Sequence, residues 1–230
     1  MSVFKEFLEN SLQQKIKKLI PLTGGASADI NRIILESDRE LIVRRTLSKE
    51  ESVMAIPKTL EAKIQKIVKA NDAPVPEILI EFSEGDEIGE GYVMEAIAGE
   101  TIPRKILRDD SFKKAREKLP YEIGKSLAKI HQTKLDQLQD LEQTSFLDSL
   151  QKLNLVYLSF QQPQPVFDLA FKWLEAQKLK DYGEVLVHGD FRFGNFIISE
   201  ENLESIIDWE LAHIGNPMED LGWLCVRSWR

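Results

Sequence analysis

An aspartate, an amide five positions on and a second aspartate at the end of the next apolar run stand in His188-Gly189-Asp190-Phe191-Arg192-Phe193-Gly194-Asn195 and Ile206-Ile207-Asp208-Trp209-Glu210. Carboxylate and amide oxygens are the ligands magnesium prefers, and a carboxylate at a strand end can orient a hydroxyl or take its proton. The set therefore reads as a phosphoryl-transfer site. Such a site mostly positions groups and neutralises charge on the transferred oxygens, so the rest of the chain has to supply a phosphate grip and a cleft.

Three short strands deliver these groups. Glu184 to Val187 leads into His188-Gly189-Asp190, while Phe196 to Ile198 and Leu203 to Ile207 flank the turn Glu200-Glu201-Asn202. That hairpin brings Asn195 and Asp208 within reach of one cation. Further back, Phe4, Leu8, Leu12, Ile16 and Leu19 or Ile20 recur at helical spacing, predicting an amphipathic helix over the first twenty residues. Its mixed charge points to packing on its own domain rather than on a membrane surface.

Lys18 to Leu22 also reads as a strand, interrupted by Thr23-Gly24-Gly25-Ala26-Ser27-Ala28 before Ile30 to Leu35 resumes. By itself the glycine pair is either a plain hairpin turn or a loop whose amides approach phosphate oxygens. Leu41 to Arg45 forms a third strand, on which Arg44 and Arg45 must face opposite ways. Pro57 opens a helix through Leu60, Ile64, Ile67 and Val68, with Glu61 on its first exposed or pocket-facing turn. Ile78 to Phe82 and Tyr92 to Glu95 complete a small antiparallel sheet with one main helix, joined by an acidic loop at 84–90 that reads as a solvated turn. After Gly99 the periodicity becomes helical, with apolar faces at Ile123, Leu127 and Ile130, at Leu147, Leu150, Leu153 and Val156, and at Phe167, Phe171 and Leu174; Pro217 to Val226 reads as a last helix.

Composition sets the outer bounds. With 230 residues, 43% hydrophobic and 30% charged, the chain can bury a sizeable core. A net charge of -8 argues against a non-specific nucleic-acid binder, which needs a basic face. The single cysteine, Cys225, excludes an intrachain disulfide and is expected in the core; no apolar run has the length of a membrane span. The expected location is therefore the reducing cytoplasm, with no membrane partner.

In this order and spacing, His188-Gly189-Asp190 with Asn195, Ile207-Asp208-Trp209-Glu210 and Asp220-Leu221-Gly222-Trp223 resemble the aminoglycoside phosphotransferase and choline kinase-like family. These are small-molecule kinases with the two-lobed protein-kinase fold, and the likeness runs from the glycine loop near Thr23 to the last residue. It implies an α+β chain: a small antiparallel-sheet N-terminal nucleotide-binding lobe over 1–97, a hinge at 98–103 and a mostly helical catalytic lobe over 104–230. By the same resemblance, Asp190 is the catalytic aspartate and Asn195 and Asp208 are magnesium ligands. Arg44 is the strand-three cation on the nucleotide phosphates, with Glu61 its helix partner. Gly24, Gly25 and Ser27 cover the phosphates, and Glu95 and Ile97, within Met94 to Ile97, present backbone to the adenine edge. Many kinases have lysine at the position of Arg44, and guanidinium pairs phosphate bidentately, so the grip differs.

The implied partners are Mg2+, ATP or GTP, and a small hydroxylated acceptor; oligomeric state is left open. Family members continue for roughly another hundred residues, so the chain reads as C-terminally truncated, with the acceptor pocket unfinished. The acceptor stays open among an amino sugar, a choline-like alcohol, another sugar and a hydroxyacyl thioester.

Several side chains carry two readings. Arg192 is either a cation for the migrating phosphate or a solvated loop residue. His188 is expected to hold the loop, His131 to be a satisfied core histidine, and His213 to have no evident partner. Asp220 is expected to accept backbone amides of the catalytic loop. A catalytically impaired nucleotide binder would be expected to lack Asp190 or Asp208, and a metal-dependent phosphohydrolase needs more histidines than the three present.

Overall fold

The computed structural model describes residues 3–22, 29–47, 55–177, 180 and 182–227. Gly24, Gly25 and Ser27 lie outside them. Helix α1 (Val3–Leu12) precedes strands β1 (Ile16–Pro21), β2 (Asp29–Leu35) and β3 (Glu40–Thr46); α2 (Lys58–Ala70), β4 (Ile78–Glu84), α3 (Gly85–Ile88) and β5 (Gly89–Glu95) follow. The five strands form one antiparallel sheet in the order β1-β2-β3-β5-β4.

Strand alternation divides the sheet's two faces. Ile33, Leu35, Leu41, Val43 and Val93 are fully buried against Phe4 and Leu8 of α1. Ile42, Tyr92 and Met94 face the other way and pack with Ala62 of α2. Each such fully buried aliphatic side chain stabilises the fold by about 1.5–3 kcal/mol. The same alternation separates the two arginines. Arg44 goes to the α2 face and is buried, whereas Arg45 lies with its Cζ 3.5 Å from the centre of the Phe4 ring and its Nε 2.9 Å from Asp29.

The first helix is shorter than its periodicity predicts. Its extension through Ile20 is wrong: α1 stops at Leu12, Gln13 has φ 52° and Ile16 opens β1. The buried Glu9 carboxylate decides this, accepting the Ile16 amide at 3.0 Å and the Lys15 ammonium at 2.8 Å. The acidic stretch also departs from a solvated turn, because it contains α3 and Glu90 accepts both the amide (2.8 Å) and the hydroxyl (2.7 Å) of Thr59, near the start of α2.

Beyond the sheet come α4 (Pro103–Arg108), α5 (Lys113–His131), α6 (Phe146–Ser159) and α7 (Pro165–Glu175). Next are β6 (Val185–Val187), β7 (Phe196–Ile198), β8 (Leu203–Ile206), β9 (His213–Gly215) and α8 (Met218–Cys225). Helix α5 anchors this part through Ala115, Leu119, Ile123, Leu127 and Ile130, which join one core with Ile64 and Val68 of α2. That shared core ties α2 to both halves of the molecule.

The predicted apolar faces of α6 and α7 are not buried among the described residues. Leu150 is buried, but Leu147, Leu153, Val156 and Phe167 are exposed. The two helices meet through Tyr157, whose ring lies 5.6 Å from both Phe167 and Phe171. Cys225 is exposed rather than in the core, because α8 turns the side of its last turn that carries Cys225 outward. Among the described residues no helix is long and apolar enough to cross a membrane.

Candidate active site

Strand β6 pairs with β9 and ends at His188-Gly189-Asp190. Gly189 has φ +83°, and a Cβ there would run into the Leu211 carbonyl, so only glycine fits this turn. The fully buried Asp220 accepts the amides of His188 at 3.0 Å and Gly189 at 3.1 Å, as expected. His131 Nε2 lies 2.9 Å from the same carboxylate, which makes it a satisfied interior histidine.

His188 holds the loop from within. The Asp190 amide donates to its Nδ1 at 3.2 Å, which leaves Nε2 to carry the proton to the Ile207 carbonyl at 3.1 Å. Burial pushes this imidazole below its ordinary range in spite of the nearby aspartates, so it is a neutral brace and not a base. His213, expected to lack a partner, has two. Its Nδ1 lies 3.0 Å from the Leu211 carbonyl and its Nε2 3.2 Å from Glu219, because the turn into α8 folds Glu219 back onto β9.

Asp190 sits under three donors. Trp223 Nε1 reaches Oδ1 at 2.6 Å, Arg192 Nε reaches both oxygens at 2.9 and 3.0 Å, and Asn195 Nδ2 reaches Oδ2 at 2.6 Å. Burial works to raise this carboxyl, but hydrogen bonds from Trp223, Arg192 and Asn195 outweigh it and hold the group below the usual carboxylate range. Of the two readings of Arg192, the solvated loop residue gives way to a side chain that clamps the aspartate and covers Gly194.

Asn195 spends its amide nitrogen on Asp190, also donating to the backbone carbonyl at 2.8 Å. Its carbonyl oxygen is thereby the end available to a cation. Strand β7 pairs with β8, and the Ile207 amide donates to the Asn195 carbonyl at 2.9 Å, so the hairpin does set Asn195 beside Asp208. Asp208 has φ 71°, a conformation that aspartate tolerates better than most residues and that marks a specialised turn.

The second wall of the site comes from the sheet. Arg44 Nη2 lies 2.9 Å from Asp208 Oδ1 and 3.4 Å from Glu210 Oε2, and Nη1 lies 3.5 Å from Glu61 Oε1. Burial opposes the charge on Arg44, yet Glu61 and Asp208 keep it raised and fully ionised. Glu61 is not exposed; it is fully buried, accepting Tyr92 Oη at 2.7 Å and Lys58 Nζ at 2.8 Å. Tyr92 is opposite Arg44 in the β3–β5 register, which places its hydroxyl on the same face.

Lys58, Tyr92, Glu210 and Trp223 are parts of the site that sequence reasoning did not assign. Glu210 and Trp223 stood inside the quoted motifs without a role, and Lys58 stood three residues before Glu61 on the helix that Pro57 opens. Glu95 closes β5, and its amide donates to the Glu77 carbonyl at 2.9 Å. Any nucleotide edge meeting Glu95 or Ile97 must therefore use a backbone group other than that amide. Among the described residues no group of three or more His, Cys, Asp or Glu side chains gathers as a metal site. The donor set that fits a hard divalent ion is the Asn195 carbonyl oxygen with the Asp208 carboxylate, which still has one oxygen not held by Arg44.

A family model described as the phosphotransferase enzyme family matches residues 18–230. The chain belongs to that family. A mouse protein named acyl-CoA dehydrogenase family member 10 is 27% identical over 208 residues, covering 83% of this chain and 18% of its own length. Acyl-CoA dehydrogenase family member 11 of Pongo abelii is 31% identical over 171 residues, covering 70% and 22%. The chain thus spans about a fifth of the length of the curated relatives it matches.

Among solved structures, a putative aminoglycoside phosphotransferase from Ralstonia eutropha superposes with TM-score 0.76 at 20% identity, over 96% of this chain and 68% of the other. A spectinomycin phosphotransferase solved with ADP and spectinomycin gives 0.66 at 15% identity, over 95% and 71%. A choline/ethanolamine kinase family protein from Mesorhizobium loti gives 0.58 at 23% identity, over 90% and 63%. These likenesses carry the fold, and the chain has the two-lobed α+β architecture that its motifs imply.

Proposed function

We propose that the chain transfers the terminal phosphate of ATP or GTP to a hydroxyl of a small molecule. Asp190 orients that hydroxyl and receives its proton; Asn195 and Asp208 hold magnesium. Arg44, aligned by Glu61, grips the nucleotide phosphates, Gly24, Gly25 and Ser27 cover them, and Glu95 and Ile97 lie along the adenine edge in a hinge that continues through 98–103. Arg192 holds Asp190 and brings a positive charge beside the migrating phosphate.

The observation that carries the reading is the state of Asp190. A carboxylate kept ionised by Trp223, Arg192 and Asn195 is a weak base with fixed geometry. That suits a loose phosphoryl-transfer transition state, in which orientation of the hydroxyl matters more than its early deprotonation. A second support is Arg44 Nε, a buried donor with no partner among the described residues. Buried donors are normally satisfied, so this one is consistent with a phosphate oxygen as its partner. Bound magnesium would neutralise charge on the phosphate oxygens.

The proposed acceptor is an amino sugar, a choline-like alcohol, another sugar or a hydroxyacyl thioester, and the relatives named as acyl-CoA dehydrogenase family members support keeping the thioester among them. With one cysteine and a net charge of -8, the cytosol is the proposed setting. The test is a screen of these four acceptor classes for magnesium-dependent release of ADP or GDP. Release with no acceptor in any class, or release that does not need magnesium, counts against the proposal.

A further inference from the structure

Helix α2 is tied to the C-terminal half at both ends, and the two ties differ in kind. At its C-terminal end the links are Ile206 amide to Pro74 carbonyl at 2.7 Å, Asn71 to Thr133 at 3.1 Å and Lys129 to the Asp72 carbonyl at 2.7 Å. Near its N-terminal end, three contacts among the described residues meet at Glu210, beside an exposed ion pair of Lys63 with Asp140. The Ile56 amide donates to the Glu210 carbonyl at 2.8 Å, Lys58 Nζ lies 3.3 Å from its carboxylate, and Arg44 Nη2 lies 3.4 Å from that same oxygen.

Lys58 is only 4% exposed and also holds Glu61 at 2.8 Å. A lysine is seldom buried so far unless its charge is paired on more than one side. Here it joins the carboxylate that aligns Arg44 to a carboxylate two residues beyond Asp208. We infer that Lys58 and Glu210 form a latch between the halves of the molecule, positioning residues that hold the start of α2 against the Asp208 turn so that Glu61 aligns Arg44 toward the nucleotide phosphates.

The inference rests on the nucleotide-binding reading of this cleft, but the latch itself concerns how the chain is held together. Neither residue needs to touch the nucleotide. Loosening the latch lets the first turn of α2 swing from the Asp208 loop, while the links at 71–74 keep the far end in place.

The test uses the full chain, with ADP and magnesium titrated into wild type, Lys58→Met, Lys58→Arg, Glu210→Gln and the Lys58→Met/Glu210→Gln double variant. Lys58→Met and Glu210→Gln should each weaken binding by about fivefold or more, and the double variant should be no weaker than the worse single variant by more than about twofold, as expected of two residues sharing one interaction. Lys58→Arg should recover most of the affinity. Amide hydrogen exchange in Lys58→Met should quicken over 55–62 and stay unchanged over 71–75.

A smaller loss in both single variants, losses that multiply in the double variant, or uniform quickening across the molecule overturns the latch. Should Lys58→Met fail to fold, the near-isosteric Glu210→Gln decides the matter by the same readings. Absence of nucleotide binding in wild type would instead sink the proposed function, and the exchange pattern over 55–62 would still judge the latch.

Discussion

Arg44 on β3 donates from Nη2 to Asp208 Oδ1 at 2.9 Å, across 164 residues of sequence. The guanidinium thus occupies one oxygen of the carboxylate assigned to magnesium. A divalent ion arriving alone meets a cation already paired there, whereas one arriving with phosphates brings Arg44 an alternative partner. Calorimetry should accordingly register little heat for magnesium alone and clear binding for magnesium with ADP or GDP. Asp208→Ala should weaken the latter by about tenfold or more, since a charge-assisted contact is worth about 1.5–3 kcal/mol; undiminished magnesium-dependent binding would remove the metal assignment.

Asp190→Asn keeps the shape of the side chain and removes its charge and basicity. Turnover should fall by about 10²–10⁴-fold, with nucleotide affinity nearly unchanged because the proposed role of Asp190 is toward the hydroxyl and not the phosphates. Steady-state rates beside equilibrium titration make the comparison, and retained turnover would exclude Asp190 as the catalytic group.

Trp223→Phe removes one of the three donors that hold Asp190 ionised. In the native protein the acid limb of the rate profile should lie below the usual carboxylate range, because the group is active when ionised and its affinity for protons is depressed. The substitution should move that limb to higher pH and lower the plateau. A pH–rate profile of the two proteins checks it, and an unmoved limb would mean that Trp223 does not act on Asp190.

Asp220 is fully buried and accepts two loop amides with nothing else among the described residues to replace it. Asp220→Ala leaves both donors unpaired and should destabilise the fold by on the order of 3 kcal/mol. For a chain of this size that is a fall in melting temperature of roughly 6–12 °C. Thermal unfolding followed by circular dichroism gives the answer; a shift under a few degrees would deny the aspartate its bracing role.

For His213, burial disfavours the charge, but the contact with Glu219 raises its proton affinity above the ordinary histidine range. The folded state then binds the proton more tightly than the unfolded chain. Its contribution is complete below the ordinary histidine value and is lost as pH rises through the raised one. Glu219 is substantially exposed, so the effect is modest, about 0.5 kcal/mol. His213→Gln should flatten the stability curve from the ordinary histidine value upward by roughly that amount, as read from denaturant midpoints; a slope identical to wild type would leave the pair without energetic weight.

Residue types and short spacings were enough to set out the chemistry. Asn195 and Asp208 flank one hairpin and Asp190 stands five residues before Asn195, so two short strands, a turn and a short loop suffice to bring them together. Strand alternation likewise separates Arg44 from Arg45 with no knowledge of what packs on either face, and Pro57 with the apolar period of α2 places Glu61. Those features depend on bonds and periods within a few residues of one another.

Only the tertiary structure decided who shares charge with whom. Trp223 on Asp190, Lys58 between Glu61 and Glu210, and Glu219 on His213 depend on chain segments whose separation no local period encodes. The same holds where a helix yields to a strand. The apolar repeat continues past Leu12, but the buried Glu9 carboxylate captures the Ile16 amide and pairing with β2 takes over. Periodicity states which residues prefer burial; it does not say what covers them, which is why Leu147, Leu153 and Phe167 keep helical spacing and yet remain exposed among the described residues. Burial and ion pairing are sums over contacts distant in sequence, and the fold alone fixes those sums.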